Sequence, residues 1–392
     1  MTQRWLLPEQ LEDLLPAEAR VLEAARRRLL DLFHSHGYEL VSPPALEYME
    51  SLLTGSGEDA DLLTFKVVDQ LSGRLLGLRA DITPQVARID AHRLDRAGVS
   101  RLCYAGHVYH ALVTGAGASR APYQVGAELF GHGGLAADLE VQGLLLNGLD
   151  QLGLRDFVLD LGHVGIFRSL TEGLEPGLVT DLLAAMHGKN IPRIDELTEG
   201  LEDAWRTALR SLPLLCGGVE VLGRARHALP ALPGVLAALD ALEEAARHLQ
   251  GRARLEIDLA ELRGYSYHSG MVFAVYAAGY PGAVARGGRY DAIGLVFGRA
   301  RAATGFSIDL RDLLPVIDAP PPARCLWLPA VTAQALPAAT LAAELQALRA
   351  TGHVVIAELA GDSGSPDPRC AQMLWTDGTS LQVRPLSPEM AG

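Results

Sequence analysis

Lysine is nearly absent from this chain: Lys66 and Lys189 are the only two among 392 residues. The other basic residues are arginines, and Lys plus Arg (34) fall short of Asp plus Glu (47), giving a formal net charge of -13. A field of that sign repels phosphate backbones and anionic membranes, so neither nucleic acid nor membrane is an expected partner. Cysteine is also scarce. Cys103, Cys216, Cys325 and Cys370 are scattered, with no C-x-x-C and no histidine at metal-ligand spacing. Four free thiols in a reducing compartment are expected. His107, His110 and His163 likewise lack a partner at ligand spacing, and neither a metal nor an organic cofactor is expected. No run approaches the roughly 18 uncharged apolar residues of a membrane helix. The opening MTQRWLLPEQLEDLLP carries acids where a secretion signal needs positive charge. These absences predict a soluble, cytoplasmic protein.

What is present suits an ordinary globular chain, with 49% apolar and 21% charged residues and a length that predicts two or three domains. EARVLEAARRRLLDLFHSHG (18–37) places Val21, Leu22, Ala25, Leu29, Leu32 and Phe33 on one helical stripe closed by Gly37. YELVSPPALEY is extended and broken by Pro43 and Pro44, which suits an edge or an interface. GRLLGLRADIT reads as a strand running into a helix that Thr83 can cap and Pro84 can open. CYAGHVYHALVTGAGASRAPYQVGAELFG then reads as strand, loop, strand, followed by a helix near 136–152 and the strand DFVLDLG. Residues 165–250 are almost wholly helical and read as an inserted module.

Strand character returns in RLEIDL, MVFAVYAAG, AVARGG and ATGFSIDL, with a short helix expected at RYDAIGLVF. PVIDAPPPARC, with four prolines, reads as a stiff linker to a small α/β module at 324–392. Strands among helices without strict βαβ spacing predict an α+β core, residues 1–315, built on an antiparallel sheet flanked by helices.

Three stretches concentrate polar residues within apolar strands: LRADIT (78–83), YQVGAELFG (123–131) and LRGYSYHSGMVF (262–273). The period of two puts Gln124 and Glu128 on one strand face, and Asp81 and Thr83 on another. A third strand offering Arg263 and Tyr267 would complete a pocket, with His268 joining only if that strand starts or bulges there. Carboxylates for an ammonium, a guanidinium for a carboxylate and a ring-lined recess suit a zwitterionic amino acid. GGRYDAIG lacks phosphate-loop spacing and reads as a tight turn into a helix, with Arg289 structural.

LRADIT, YQVGAELFG, RGYSYHSG and GGRYDAIG together resemble the class II aminoacyl-tRNA synthetase core, in its histidyl-tRNA synthetase branch, over roughly residues 10–315. That likeness implies a histidine pocket: Asp81, Thr83 and Gln124 around the ammonium, Glu128 and His268 at the imidazole, Tyr267 as a wall and Arg263 for the carboxylate. His268 stands where the synthetase signature has a tyrosine. The same likeness implies an ATP clamp that this chain lacks, since His110 and Leu112 occupy the places of an arginine and a glutamate. Asp309 replaces a glycine and Asp312 a second arginine. An anion in place of a clamp cation changes one contact by several kcal/mol even at an effective dielectric of about 20.

The pattern is similar to the regulatory subunits of ATP phosphoribosyltransferase, whose RGYxYH signature and missing ATP arginines match. That resemblance implies no catalytic residue in this chain. It further implies a short-form catalytic partner acting in the first step of histidine biosynthesis, feedback control by L-histidine, hetero-octamers, and a homodimeric core built through the segment of Pro43 and Pro44. From Ala323 onward there are four arginines, no lysine and six acids, the wrong balance for gripping an anticodon stem. An active histidyl-tRNA synthetase and a stand-alone histidine sensor remain open alternatives at this point.

Overall fold

The computed structural model describes residues 6–53, 58–112, 119–293, 298–359 and 365–386. The chain divides into two compact units, Met1–Asp318 and Ala319–Gly392.

The first unit opens with a helix, Pro16–Ser35, that buries Leu22, Ala25, Leu29, Leu32 and Phe33. Phe33 meets Phe306 edge to face at 5.7 Å, and the chain reverses at Gly37 with φ of 82°. The strands follow as β1 (Glu39–Leu40), β2 (Leu46–Tyr48), β3 (Phe65–Val68), β4 (Leu75–Leu78), β5 (Ser100–His107), β6 (Tyr123–Phe130), β7 (Phe157–His163) and β8 (Cys216–Gly217). β9 (Arg254–Asp258), β10 (Met271–Ala277), β11 (Ala283–Arg289) and β12 (Ala303–Asp309) complete the unit. β2, β4 and β3 form a separate small sheet.

The others make a nine-stranded sheet in the order β1-β5-β6-β12-β11-β10-β7-β9-β8, antiparallel except where β1 pairs with β5 and β7 with β9. One face is covered by the Pro16–Ser35 and Leu135–Gln151 helices, whose apolar stripes merge with Val125, Leu159, Leu161 and Phe306. Six α-helices between Val164 and Leu249 fill the stretch expected to be a helical module.

Four local expectations change. The LRADIT strand stops at Leu78, and Thr83 opens the Thr83–Arg88 helix without capping it. Its backbone N–H instead donates to Asp81 Oδ1 at 3.1 Å. Residues 263–267 form a turn and 262–270 hold no strand, since β10 begins only at Met271. The two glycines of GGRYDAIG lie inside β11, because a Cβ at Gly287 would run into the Gly305 carbonyl and the Phe273 ring. The helix expected at RYDAIGLVF falls partly on residues outside those described, as does the loop VTGAGASRAP.

In the second unit β13 (Arg324–Leu328) runs parallel to β14 (His353–Ala357) and β15 (Gln372–Thr376), and β16 (Leu381–Pro385) closes the edge antiparallel. Leu341, Leu345 and Leu348 of the Ala338–Ala350 helix cover Leu326, Leu328 and Leu374. The expectation of four free thiols is corrected here. Cys325 and Cys370, 45 residues apart, lie with Cα atoms 4.6 Å apart and form a disulfide, while Cys103 and Cys216 are free. Among the described residues no helix is long and apolar enough to cross a membrane.

Arg289 ties the sheet to the Leu135–Gln151 helix through a buried ion pair, Nη2 to Asp138 Oδ2 at 2.9 Å. It also donates to the carbonyls of His132 and Gly134. Removing one partner of such a pair strands the other charge and costs about 3 kcal/mol or more. Arg289→Ala should therefore lower the urea unfolding midpoint well below wild type, and an unchanged midpoint would contradict this role.

Candidate functional site

Opposed residues on antiparallel strands project to the same side, and so do residues two apart along a strand. Two neighbouring rows therefore line the opposite face of the large sheet. One runs Tyr104, Gly126, Ser307, Arg286, Ala274, Asp160 across β5, β6, β12, β11, β10 and β7. The next runs Glu128, Gly305, Gly288, Val272. Half the residues in each row are small, and the face is hollow where they meet.

Glu128 is the centre of the hollow. It is 1% exposed, and three hydroxyls surround it. Thr83 Oγ1 donates to its Oε1 at 3.0 Å, Tyr104 Oη donates to the same oxygen at 3.1 Å, and Tyr290 Oη donates to Oε2. Burial pushes this carboxyl up to about 8, against the pull of the hydroxyls. Gly305 is obligatory beneath it, because a Cβ there would occupy the place of Glu128 Oε2.

Tyr267 stacks on Tyr290 at 5.1 Å, and its buried hydroxyl has no hydrogen-bond partner among the described residues. His268 stands edge-on to Tyr267 at 5.3 Å. Its Nδ1 lies 3.2 Å from the Arg289 carbonyl. A carbonyl only accepts, so Nδ1 carries the proton and Nε2 is left as an acceptor. Burial pushes the ring down to about 4, so it is neutral at physiological pH. Gly264, at φ of 67°, starts the turn and leaves room for this imidazole.

Asp81, Thr83, Glu128, Tyr267, His268 and Tyr290 line one recess of about 230 Å³. Gln124 lies beside it, donating to Asp81 Oδ1 at 2.8 Å and accepting from the Ile82 N–H. Arg263 lines neither this recess nor the cavity next to it. Its guanidinium is 3.4 Å from Glu261 Oε2 and hydrogen-bonds Tyr276. The reading of the sequence missed Tyr104, Tyr290 and Arg286. Gly126 between Gln124 and Glu128 was the available sign of a large side chain opposite, since a Cβ there would strike the Tyr104 hydroxyl.

The second cavity, about 590 Å³, shares Arg286 and Ser307 with the recess and is lined by His110, Leu112, Gln124, Tyr280, Asp309 and Asp312. His110 spends its Nε2 on the Ala80 carbonyl at 3.0 Å. Asp309 accepts from the N–H groups of Tyr123 and Arg311, and burial followed by the nearby Asp312 pushes it up to about 6. Asp312 is hydrogen-bonded to Tyr280. Two carboxyls therefore face this cavity.

The fold and this face are those of a histidyl-tRNA synthetase core, and the histidyl-tRNA synthetase family matches residues 10–313. The ATP phosphoribosyltransferase subunit HisZ C-terminal domain matches residues 328–384. An ATP phosphoribosyltransferase regulatory subunit of Cupriavidus metallidurans is 52% identical over 98% of this chain and 100% of that protein. Among solved structures, one described as an ATP phosphoribosyltransferase regulatory subunit/histidyl-tRNA synthetase from Bacillus halodurans superposes with a TM-score of 0.79. It is 27% identical and covers 92% of this chain and 94% of that one. An ATP phosphoribosyl transferase (HisG:HisZ) complex from Thermotoga maritima shares the fold at a TM-score of 0.57 and 21% identity, covering 74% of this chain and 97% of that one. The chain belongs to the ATP phosphoribosyltransferase regulatory subunit family.

The buried groups predict a pH dependence with a definite sign. Glu128, up to about 8, and Asp160, up to about 7, both chiefly through burial, hold protons more tightly folded than unfolded. Each therefore loses stability as pH rises from its ordinary value to its raised one. His163 and His268, pushed down to about 4, act in the opposite sense but only below about 6.5. From pH 6.5 to 8 the thermal midpoint should fall with rising pH, and fall less steeply in Glu128→Gln. Equal slopes for the two proteins would contradict this account of Glu128.

Proposed function

We propose that this chain serves histidine biosynthesis as a non-catalytic, histidine-sensing regulatory subunit of ATP phosphoribosyltransferase. The observation that carries the reading is a contrast between adjacent cavities. The recess keeps an amino-acid receptor: Asp81 and Gln124 for an ammonium, Glu128 and the neutral His268 for an imidazole, and Tyr267 and Tyr290 as ring walls. The larger cavity opposes the chemistry the fold otherwise supports, with Asp309 and Asp312 where phosphate charge would have to be neutralised. A site that binds the amino acid but repels the nucleotide reports on histidine without activating it.

The catalytic step then belongs to a separate short-form phosphoribosyltransferase chain. The HisG:HisZ complex of Thermotoga maritima shares this fold and supports such a partnership, which the family resemblance extends to a hetero-octamer. Feedback requires histidine to bind the inhibited assembly more tightly than the active one, since a ligand shifts an equilibrium only by its differential affinity. A homodimer of this chain fits the exposed Leu40, Leu46, Val68 and Leu75 along β1 to β4, and sedimentation of the isolated protein as a monomer would count against it.

Reconstitution tests the regulatory reading. Adding this chain to the catalytic chain should raise phosphoribosyl transfer, and L-histidine should suppress it. Glu128→Ala should raise the half-inhibiting histidine concentration by about 10-fold or more while the two chains still co-elute, as expected for loss of a buried hydrogen-bonding partner. Suppression unchanged in that variant would place the effector elsewhere.

A further inference from the structure

The recess described above offers a cation-binding wall and an imidazole-binding wall, but a zwitterion also brings a carboxylate. Asp81 and Glu128 sit inside the recess, and Asp309 and Asp312 line the space beyond its mouth. None of the four offers an anion a positive charge. Arg263, the arginine that the sequence nominated, is held by Glu261 and Tyr276 within the field of Asp160, and borders neither cavity.

Among the described residues Arg286 is the one arginine or lysine lining the recess, and also the one lining the larger cavity. It is exposed and makes no ion pair among those residues. Its place on β11 explains why it is accessible. Its cross-strand neighbours are Ser307 and Ala274, with Gly126 beyond Ser307, so no bulky side chain separates the guanidinium from the mouth of the recess. Asp312 feels Arg286 through space, but its own side chain is engaged by Tyr280.

We propose that Arg286 binds the carboxylate of the amino acid seated in the recess and so selects an α-amino acid over the corresponding amine. The inference rests on the histidine reading given above. A planar guanidinium matches a carboxylate with two parallel N–H donors, and a free arginine at a junction between two cavities can reach a ligand from either side. The imidazole and ammonium are then recognised by the recess, and the carboxylate by a strand the sequence had marked only as AVARGG.

The test compares L-histidine with histamine, which keeps the ring and the ammonium but lacks the carboxylate, by calorimetric titration of the full-length chain. Arg286→Ala should weaken L-histidine by about 10- to 100-fold and leave histamine binding unchanged, erasing the discrimination between them. Arg286→Lys should recover part of it, because the charge remains without the fork. Arg263→Ala should leave the histidine-to-histamine ratio as in wild type. If wild type binds L-histidine and Arg286→Ala changes neither ligand, weakens both equally, or is matched by Arg263→Ala alone abolishing the discrimination, the assignment of Arg286 is overturned while the histidine reading stands. Wild-type protein that binds neither compound overturns both.

Discussion

Burying a carboxyl group is among the most expensive things a fold can do, and Glu128 is buried. Its cost is met by three hydroxyls from three separate parts of the chain: Thr83 at the head of a helix, Tyr104 on β5 and Tyr290 just past β11. Satisfying it therefore fixes the helix start against the sheet, the register of β5 on β6, and the exit of β11. It also dictates absences. Gly305 must lack a side chain so that the carboxyl has somewhere to lie, and Gly126 must lack one so that Tyr104 can cross the strand to reach it. Tyr290, once anchored, supplies the surface on which Tyr267 stacks, and the turn carrying Tyr267 and His268 is in turn bound to the Arg289 carbonyl through the Ser269 N–H and the His268 ring.

Much of this was legible from spacing. The parity of Gln124 and Glu128 and the polar run at 81–83 led to residues that the fold brings together around one recess. What the sequence hid was everything that depends on which strand lies next to which. Arg286 and Tyr290 enter the site because β11 sits between β12 and β10, an adjacency that no local pattern states. Arg263 was misread because the signature around it was taken as strand. In the turn that actually forms, its guanidinium swings to Glu261. The Cys325–Cys370 disulfide was invisible for the same reason, joining residues 45 apart that only the parallel sheet of the second unit brings close.

On the proposed reading, a histidine receptor and the space for a nucleotide occupy neighbouring cavities. The recess depends on Glu128 and its hydroxyl donors, none of which reaches the larger cavity, so carboxylates could appear at 309 and 312 without disturbing it. Asp309 also has a structural use there, accepting from two backbone N–H groups at the end of β12. On that reading the binding energy for histidine biases a partner rather than driving adenylate formation.

The most direct measurement is a paired titration of the full-length protein with L-histidine and with ATP, accompanied by an assay for histidine-dependent exchange of pyrophosphate into ATP. The account predicts saturable histidine binding, no heat from ATP and no exchange. ATP binding with exchange would contradict it and return the chain to the synthetases.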